Sequence, residues 1–128
     1  MDVICNIDNG SCLQRQVLEL GFTEHSKFNI TVGRCYSVLA MSMWASHIFI
    51  MLADDTKLPN WYPIDIFSVS NGRMPESWCF AYFGDKQNSL LSALWGYDEI
   101  VNRREHYDGL IERDADELEI FFRLNMKK

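Results

Sequence analysis

Short stretches in which hydrophobic and polar positions alternate indicate β-strands over the first three quarters of the chain. These stretches are rich in β-branched and aromatic residues and are separated by turn residues such as the pair Asn71 and Gly72. The predicted strands are 15–22, 28–33, 34–44, 47–55, 64–69, 77–84 and 89–96, the last of which also fits a turn of amphipathic helix. Many short strands with turns between them predict a small, strongly curved antiparallel sheet or a partly open barrel.

The periodicity changes to that of a helix after Gly96. On a helical wheel the apolar residues of this region fall on one side, namely Tyr107, Leu110, Ile111, Leu118, Phe121 and Phe122. The segment 118–126 also alternates strictly, which is the pattern of a strand. The spacing of Asp114 and Glu117 favours the helix, because it is that of an N-cap residue and its partner.

Together these patterns predict a single α+β domain over residues 1–128. Residues 13–95 are expected to be mainly β and residues 97–126 mainly α, with two short helices at about 105–113 and 115–124. We expect the helices to cover one open side of the sheet, because an isolated sheet with this aromatic content would expose adhesive edges.

The stretch LPNWYPIDIF, residues 58–67, predicts a rigid bend that carries two large rings. Pro59 and Pro63 fix their own φ angles and bias the residue before each of them towards an extended conformation. We expect one of the rings of Trp61 and Tyr62 to lie in the core and the other to be partly exposed. Exposed Trp and Tyr are frequent anchors of protein interfaces, so both residues are candidates for partner binding.

Composition is that of one folded domain, with 128 residues, 48% of them hydrophobic and 13% aromatic. The longest uninterrupted apolar run, Ile48 to Ala53, is too short to span a bilayer, and the N-terminus lacks the basic region of a signal peptide. The four cysteines are irregularly spaced, which favours reduced thiols over a disulfide framework. These features predict a cytoplasmic protein without a membrane association.

Net charge is −6, and all of it arises from residues 98–119, which contain nine acids and three arginines. The remaining acids and bases cancel. Nucleic-acid binding depends on clustered Lys and Arg, so nucleic acid is not expected to be a direct ligand.

Five of these acids would form one acidic face if the helix ran without a break. At 100° per residue they fall within an arc of about 80° beside the apolar stripe, namely Glu105, Asp108, Glu112, Asp116 and Glu119. Like charges four residues apart destabilise a helix by about 0.2–0.5 kcal/mol per pair. The face is either a solvated surface, split by a break at Asp114, or a surface complementary to a basic partner.

Motifs for catalysis or metal binding do not occur in the sequence. His25, His47 and His106 are scattered without metal-ligand spacing, so neither a metal nor a cofactor is expected. Asp54 and Asp55 are adjacent at a strand end, where side chains of neighbouring residues point to opposite faces. We therefore expect a solvated turn rather than a catalytic pair of acids, and both carboxylates are candidate contacts for a partner.

The motifs NWYPIDIF (60–67), WGYDEIV (95–101) and HYDGLIERD (106–114) resemble those of a loose family of small bacterial proteins, some of which are found beside polymorphic toxins. The resemblance implies a small curved sheet, of SH3-like type, with C-terminal helices. It also implies an immunity protein that binds a cognate antibacterial toxin and occludes it without catalysis. No site residue is transferred, because such proteins differ most where they touch their toxins.

An alternative function is that of a small enzyme or metabolite-binding domain with an aromatic pocket between sheet and helices. Its predicted lining is Trp44, Trp61, Tyr62 and Trp78. His47 or Cys79 inside such a pocket would favour this alternative. A subunit of a larger assembly is a third possibility.

Overall fold

Two antiparallel sheets and a set of helices form the protein, whose computed structural model describes residues 1–13, 15–18, 20, 22–84 and 90–126. The strands are β1 (Asp2–Cys5), β2 (Cys35–Ser37), β3 (Ala40–Trp44), β4 (His47–Ala53), β5 (Pro59–Pro63), β6 (Phe67–Asn71), β7 (Cys79–Tyr82) and β8 (Leu91–Gly96). The helices are α1 (Arg15–Leu18), α2 (Asp98–Asn102), α3 (Arg104–Ile111) and α4 (Ala115–Asn125). The predicted α+β class is confirmed. None of these helices is long and apolar enough to cross a membrane.

The strands divide between a small sheet, ordered β2-β1-β6, and a large sheet, ordered β5-β4-β3-β8-β7. The prediction of one curved sheet is corrected here, because the N-terminal strand β1 was not predicted and takes β2 and β6 as its partners. The large sheet ends at β5 on one side and at β7 on the other, so it is not a closed barrel.

Two of the predicted strands are wrong. The segment 15–22 contains the short helix α1, whose Val17 is fully buried. The hydrophobic pattern of so short a segment is compatible with both a helix and a strand, so periodicity does not distinguish them. The segment 28–33 lies outside every strand, although Phe28 and Ile30 contribute to the core. The backbone N–H of Thr31 donates to the Tyr36 hydroxyl at 2.8 Å instead of pairing with a strand.

The predicted bend around Trp61 is instead the edge strand β5. It pairs with β4 over its whole length, and Trp61 lies opposite Met51. Its prolines, Pro59 and Pro63, occupy the two ends of the strand, a placement that an edge strand tolerates because its outer side needs no N–H donor.

The large sheet is the middle of three layers. One apolar cluster lies between it and the small sheet, and its fully buried members include Val3, Ile50, Leu52 and Ile66. A second cluster lies between the large sheet and the helices, and includes Met51, Leu94, Ile100, Leu110 and Phe121. Successive residues of the central strands β3 and β4 therefore serve different clusters, as the alternation of a strand requires.

The C-terminal helices confirm the predicted break at Asp114. The Asp114 side chain accepts hydrogen bonds from the backbone N–H groups of Asp116 at 3.0 Å and Glu117 at 3.1 Å, which is an N-cap arrangement. Arg113 before it adopts a φ of 62°, which reverses the chain between α3 and α4. The segment 118–126 is thus helical rather than a strand, and α2 is a further helix that was not among the two predicted.

Gly96 and Gly109 allow the helices to approach closely. A Cβ atom at Gly96 would lie 2.9 Å from the Ala40 Cβ and 2.9 Å from the Ile100 Cγ2. The close packing of α2 against the sheet at this position therefore requires a residue without a side chain. A Cβ at Gly109 would lie 2.5 Å from the Glu117 Cγ, which sets the spacing of α3 and α4.

The substitution Gly96→Ala is expected to lower the free energy of unfolding by about 1–3 kcal/mol, because α2 must move away from β3. The matched control is Gly72→Ala, where the nearest atom to an added Cβ is 3.7 Å away. That control should stay within about 0.5 kcal/mol of the wild type in urea unfolding. Equal losses in both variants would contradict the close approach at Gly96.

Candidate functional site

Asp54 is a buried carboxylate at the end of β4, with only 2% of the residue exposed. Its Oδ2 accepts from the Tyr62 hydroxyl at 2.5 Å and from the Asn60 side-chain amide at 2.8 Å. Its Oδ1 accepts from the Thr56 backbone N–H at 2.9 Å and from the Thr56 hydroxyl. The carboxylate holds the β4–β5 turn closed, and a partner cannot reach it in this conformation.

Asp55 points away from Asp54 and fixes a different segment. It accepts from the Thr31 hydroxyl at 2.6 Å, the Tyr36 hydroxyl at 2.7 Å and Arg34 Nη1 at 2.9 Å. The hydrogen bonds from Thr31 and Tyr36, together with the charge of Arg34, hold the pKa of the Asp55 carboxyl below its usual range. The two acids therefore belong to separate networks: Asp54 is buried, whereas Asp55 is an exposed residue whose carboxylate is bonded within the protein.

The substitution Tyr62→Phe is expected to lower the free energy of unfolding by about 1–3 kcal/mol, because a buried carboxylate oxygen loses a donor. Tyr82→Phe is the control, since Tyr82 is 73% exposed and the change should stay within about 0.5 kcal/mol. Urea unfolding at neutral pH measures both. If the free energy of unfolding falls no more in Tyr62→Phe than in Tyr82→Phe, the hydrogen bond between Tyr62 and Asp54 does not stabilise the fold.

The Asp55 network also predicts a pH dependence of stability. Because the folded-state pKa lies below the ordinary value of 3.8, the stabilisation is present above that value and is lost as the pH falls through the folded pKa. Asp55→Asn should therefore unfold more easily at neutral pH and lose less stability than wild type on acidification. Unfolding free energies from about pH 6 to about pH 2.5 check this, with the exposed Glu76→Gln as control. An unchanged slope in Asp55→Asn would contradict it.

Trp61 and Tyr62 point to opposite faces of β5, as one core ring and one partly exposed ring. Tyr62 is 5% exposed and packs its ring edge-on against Phe28 at 5.5 Å between centroids. Burial, with its hydrogen bond to Asp54, raises the pKa of the Tyr62 hydroxyl. Trp61 is half-buried on the helix side, 5.8 Å from the Tyr107 ring. Trp61 is thus the one of the pair that a ligand or partner can touch.

The acidic face does not form one stripe, because α3 ends at Ile111 and α4 begins at Ala115. The arginines of this region contact groups within the protein. Arg103 Nε lies 3.1 Å from the Glu105 carboxylate, and Arg104 Nε lies 3.2 Å from that of Asp108. Two of the five predicted acids are therefore neutralised by neighbouring cations.

The Arg113 side chain also bonds to groups within the protein. Its Nη1 donates to the carbonyl oxygens of Pro59 at 2.8 Å and Leu110 at 2.9 Å, and its Nη2 donates to Asn60 Oδ1 at 2.6 Å. The guanidinium thereby fastens the end of α3 to the edge strand β5. It forms no ion pair with an acid among the described residues.

Three of the predicted acids stay exposed and without an ion pair in the part of the chain that the structure describes: Glu112, Asp116 and Glu119. They lie at the end of α3 and along the first two turns of α4. We call these three residues the acidic patch.

A buried relay of polar groups joins the three C-terminal helices. The Tyr97 hydroxyl lies 2.7 Å from His106 Nε2, and His106 Nδ1 lies 2.8 Å from the Glu117 carboxylate. A carboxylate can only accept, so His106 donates to Glu117 from Nδ1, and in the neutral imidazole Nε2 is then the acceptor for the Tyr97 hydroxyl. Burial raises the pKa of Tyr97, which disfavours a nucleophilic phenolate, and His106 is 0% exposed. We assign the relay to the packing of α2, α3 and α4.

A cavity of about 370 Å³ lies between the large sheet and α3. It is lined by Leu20, Phe22, Ser42, Trp44, Phe49, Met51, Pro59, Asn60, Trp61, Tyr107, Leu110, Ile111 and Arg113. Of the four residues predicted to line a pocket here, Trp44 and Trp61 do so, whereas Tyr62 and Trp78 pack on the opposite side of the sheet. His47 and Cys79 are not part of its wall; His47 instead contacts Asp65 at 2.6 Å.

Sequence reasoning missed two exposed aromatics on the edge strand β7. Phe80 is 55% and Tyr82 73% exposed, and both point to the face opposite the helices. The two-residue spacing of Phe80 and Tyr82 is the available signal that they share a face of the predicted strand 77–84, but only the strand order shows that β7 is an edge. Sequence reasoning also missed Ser42 and Arg113 in the cavity wall.

Metal binding finds no support in the side-chain arrangement. Within the described ranges, no three His, Cys, Asp or Glu side chains are grouped so that they could hold a metal ion. The four cysteines are free thiols, and burial raises the pKa of Cys5.

Comparison with known proteins does not assign the chain to a family. No protein-family model, no curated protein and no solved structure matches it.

Proposed function

We propose that this protein is a cytoplasmic immunity protein, which binds a cognate antibacterial protein toxin and neutralises it by occlusion, without catalysis. The observation that carries the proposal is the distribution of charge in residues 98–119. All three arginines of this segment are engaged within the protein, while Glu112, Asp116 and Glu119 remain exposed. The acidic patch is therefore available to a basic partner. The SH3-like sheet type implied by the resemblance belongs to the same proposal.

The position of Glu112 supports a role outside folding. It is the C-cap residue of α3, where the helix dipole disfavours a negative charge. Asp116, by contrast, lies in the first turn of α4, where a negative charge stabilises the helix. Glu112, at the C-terminal end of α3 where a negative charge is unfavourable, extends the negative surface across the break between α3 and α4.

A surface of this kind suits a toxin with a basic active-site cleft. Complementary charge speeds association and selects the partner, whereas desolvated aromatic residues contribute most of the affinity. Phe80 and Tyr82 on β7 and the half-buried Trp61 are the exposed aromatics that could supply such anchors.

The test begins with an affinity pull-down of the tagged protein from a lysate of the source cells, eluted in steps of increasing salt. A stoichiometric protein released only at high salt is then expressed alone and together with this chain. The proposal requires that the captured protein inhibits growth alone and that co-expression restores growth. Capture of a protein without toxicity, or toxicity that co-expression leaves unchanged, would contradict the proposal.

Reversal of the acidic patch by Glu112→Lys, Asp116→Lys and Glu119→Lys should slow association with the toxin at least about tenfold at low salt and flatten its salt dependence. The control is Asp8→Lys, Glu24→Lys and Glu76→Lys, which changes net charge equally at exposed sites elsewhere. Stopped-flow or surface-based kinetics measure both variants, after circular dichroism has shown that they fold. Equal effects in the two variants would exclude the acidic patch as the interface.

A further inference from the structure

The cavity between the large sheet and α3 has the properties of a small-molecule site. Its volume of about 370 Å³ lies in the range of roughly 300–1,000 Å³ that is usual for ligand pockets. Aromatic rings from three strands and a helix form its walls: Phe49, Trp44, Trp61 and Tyr107. Burial raises the pKa of Tyr107 to about 12, so its phenol is neutral at physiological pH and does not repel an anion.

Ser42 places a polar group in the wall of this cavity. The residue is only 2% exposed and lies on β3 between Phe49 and Leu94 of the neighbouring strands. Its hydroxyl makes no hydrogen bond to any residue in the described ranges. Because no buried side-chain oxygen of the described residues lacks a partner, the Ser42 hydroxyl oxygen must itself be accessible from the cavity, where a polar atom of a bound ligand can hydrogen-bond to it.

Arg113 provides a cation at the other end. Its three hydrogen bonds to Pro59, Leu110 and Asn60 hold the guanidinium in place. A guanidinium has five N–H donors, so Nε–H and one Nη2 hydrogen are left without an acceptor among the described residues. A carboxylate is the partner that such a fixed guanidinium recognises best.

The dimensions of the cavity limit the ligand. An apolar cavity of roughly 150 Å³ accommodates one benzene ring, so this cavity accommodates a skeleton of about two rings. The distance between Ser42 and Asn60, to which Arg113 bonds, follows from the strand pairing. Ser42 on β3 lies opposite Phe49 on β4, and Asn60 on β5 lies opposite Leu52 on β4, so the two residues are two inter-strand spacings and three residues apart. At the usual spacings of a sheet this corresponds to roughly 14 Å, so the two polar ends of the ligand must lie far apart.

We propose that this cavity binds a bicyclic aromatic carboxylate with a hydroxyl at its far end. The rings stack among Trp44, Trp61 and Tyr107, the hydroxyl hydrogen-bonds to Ser42, and the carboxylate pairs with Arg113. This small-molecule site is separate from the acidic patch, and the inference does not depend on the proposed immunity function.

The test uses 6-hydroxy-2-naphthoate as probe, with 2-naphthoate and 2-naphthol as analogues that lack one polar end each. Calorimetric titration should give saturable one-to-one binding of the probe. Loss of the carboxylate should weaken binding about tenfold or more, and loss of the hydroxyl about fivefold. Side-chain indole N–H signals in NMR spectra should shift for Trp44 and Trp61 but not for Trp78 and Trp95, which lie on the other side of the sheet.

Two substitutions test which residue binds the carboxylate and which binds the hydroxyl of the probe. Arg113→Gln should abolish the difference between the probe and 2-naphthol, and Ser42→Ala should abolish that between the probe and 2-naphthoate. Arg73→Gln and Ser77→Ala, both exposed and outside the cavity, serve as controls and should retain both differences. Because Arg113 also fastens α3, Ile111→Trp provides an independent variant: this 54% exposed residue lines the cavity, and a larger ring should block it.

Three outcomes would overturn the proposal: no saturation at millimolar probe, shifts of Trp78 and Trp95 instead of Trp44 and Trp61, or unchanged discrimination in both Arg113→Gln and Ser42→Ala. None of these outcomes bears on toxin binding by the acidic patch. Conversely, failure to find a toxin leaves the calorimetric result as it stands.

Discussion

The buried carboxylate of Asp54 is the interaction on which the connection between the layers depends. Four donors from Thr56, Asn60 and Tyr62 surround it, so the turn between β4 and β5 has one arrangement that satisfies its charge. Asn60 also accepts from Arg113, which in turn holds the end of α3. A charge inside the β region thereby positions the helices, and its hydrogen bonds offset the cost of burying it.

That connection also shapes the surface. Arg103 and Arg104 pair with acids of the segment 98–119, whereas Arg113 bonds to Pro59, Leu110 and Asn60 and forms no ion pair with an acid among the described residues. Arg113 follows Glu112 of the acidic patch in the chain and also forms part of the cavity wall.

Local features of the sequence predicted local structure well. Asp114 begins the second helix because its carboxylate caps N–H groups of the first turn of α4, which is decided within three residues. The expectation that one ring of Trp61 and Tyr62 lies in the core and the other is partly exposed is confirmed, although the segment is a strand and not a bend. The segment 28–33 was mispredicted because the Thr31 N–H bonds to Tyr36, a tertiary contact that periodicity does not contain.

The sequence by itself determined the α+β class, the helical C-terminal region with its break at Asp114, and the concentration of negative charge after residue 97. These depend on period, capping and composition, which act over a few residues. Only the tertiary structure decided that the strands form two sheets, that Asp54 and Asp55 accept hydrogen bonds in two separate networks, and that Ser42 and Arg113 share a cavity. The sheet pairings, the Asp55 network and the cavity depend on which distant segments meet, and the Asp54 network depends on how the chain folds back between β4 and β5; periodicity and composition do not contain either kind of information.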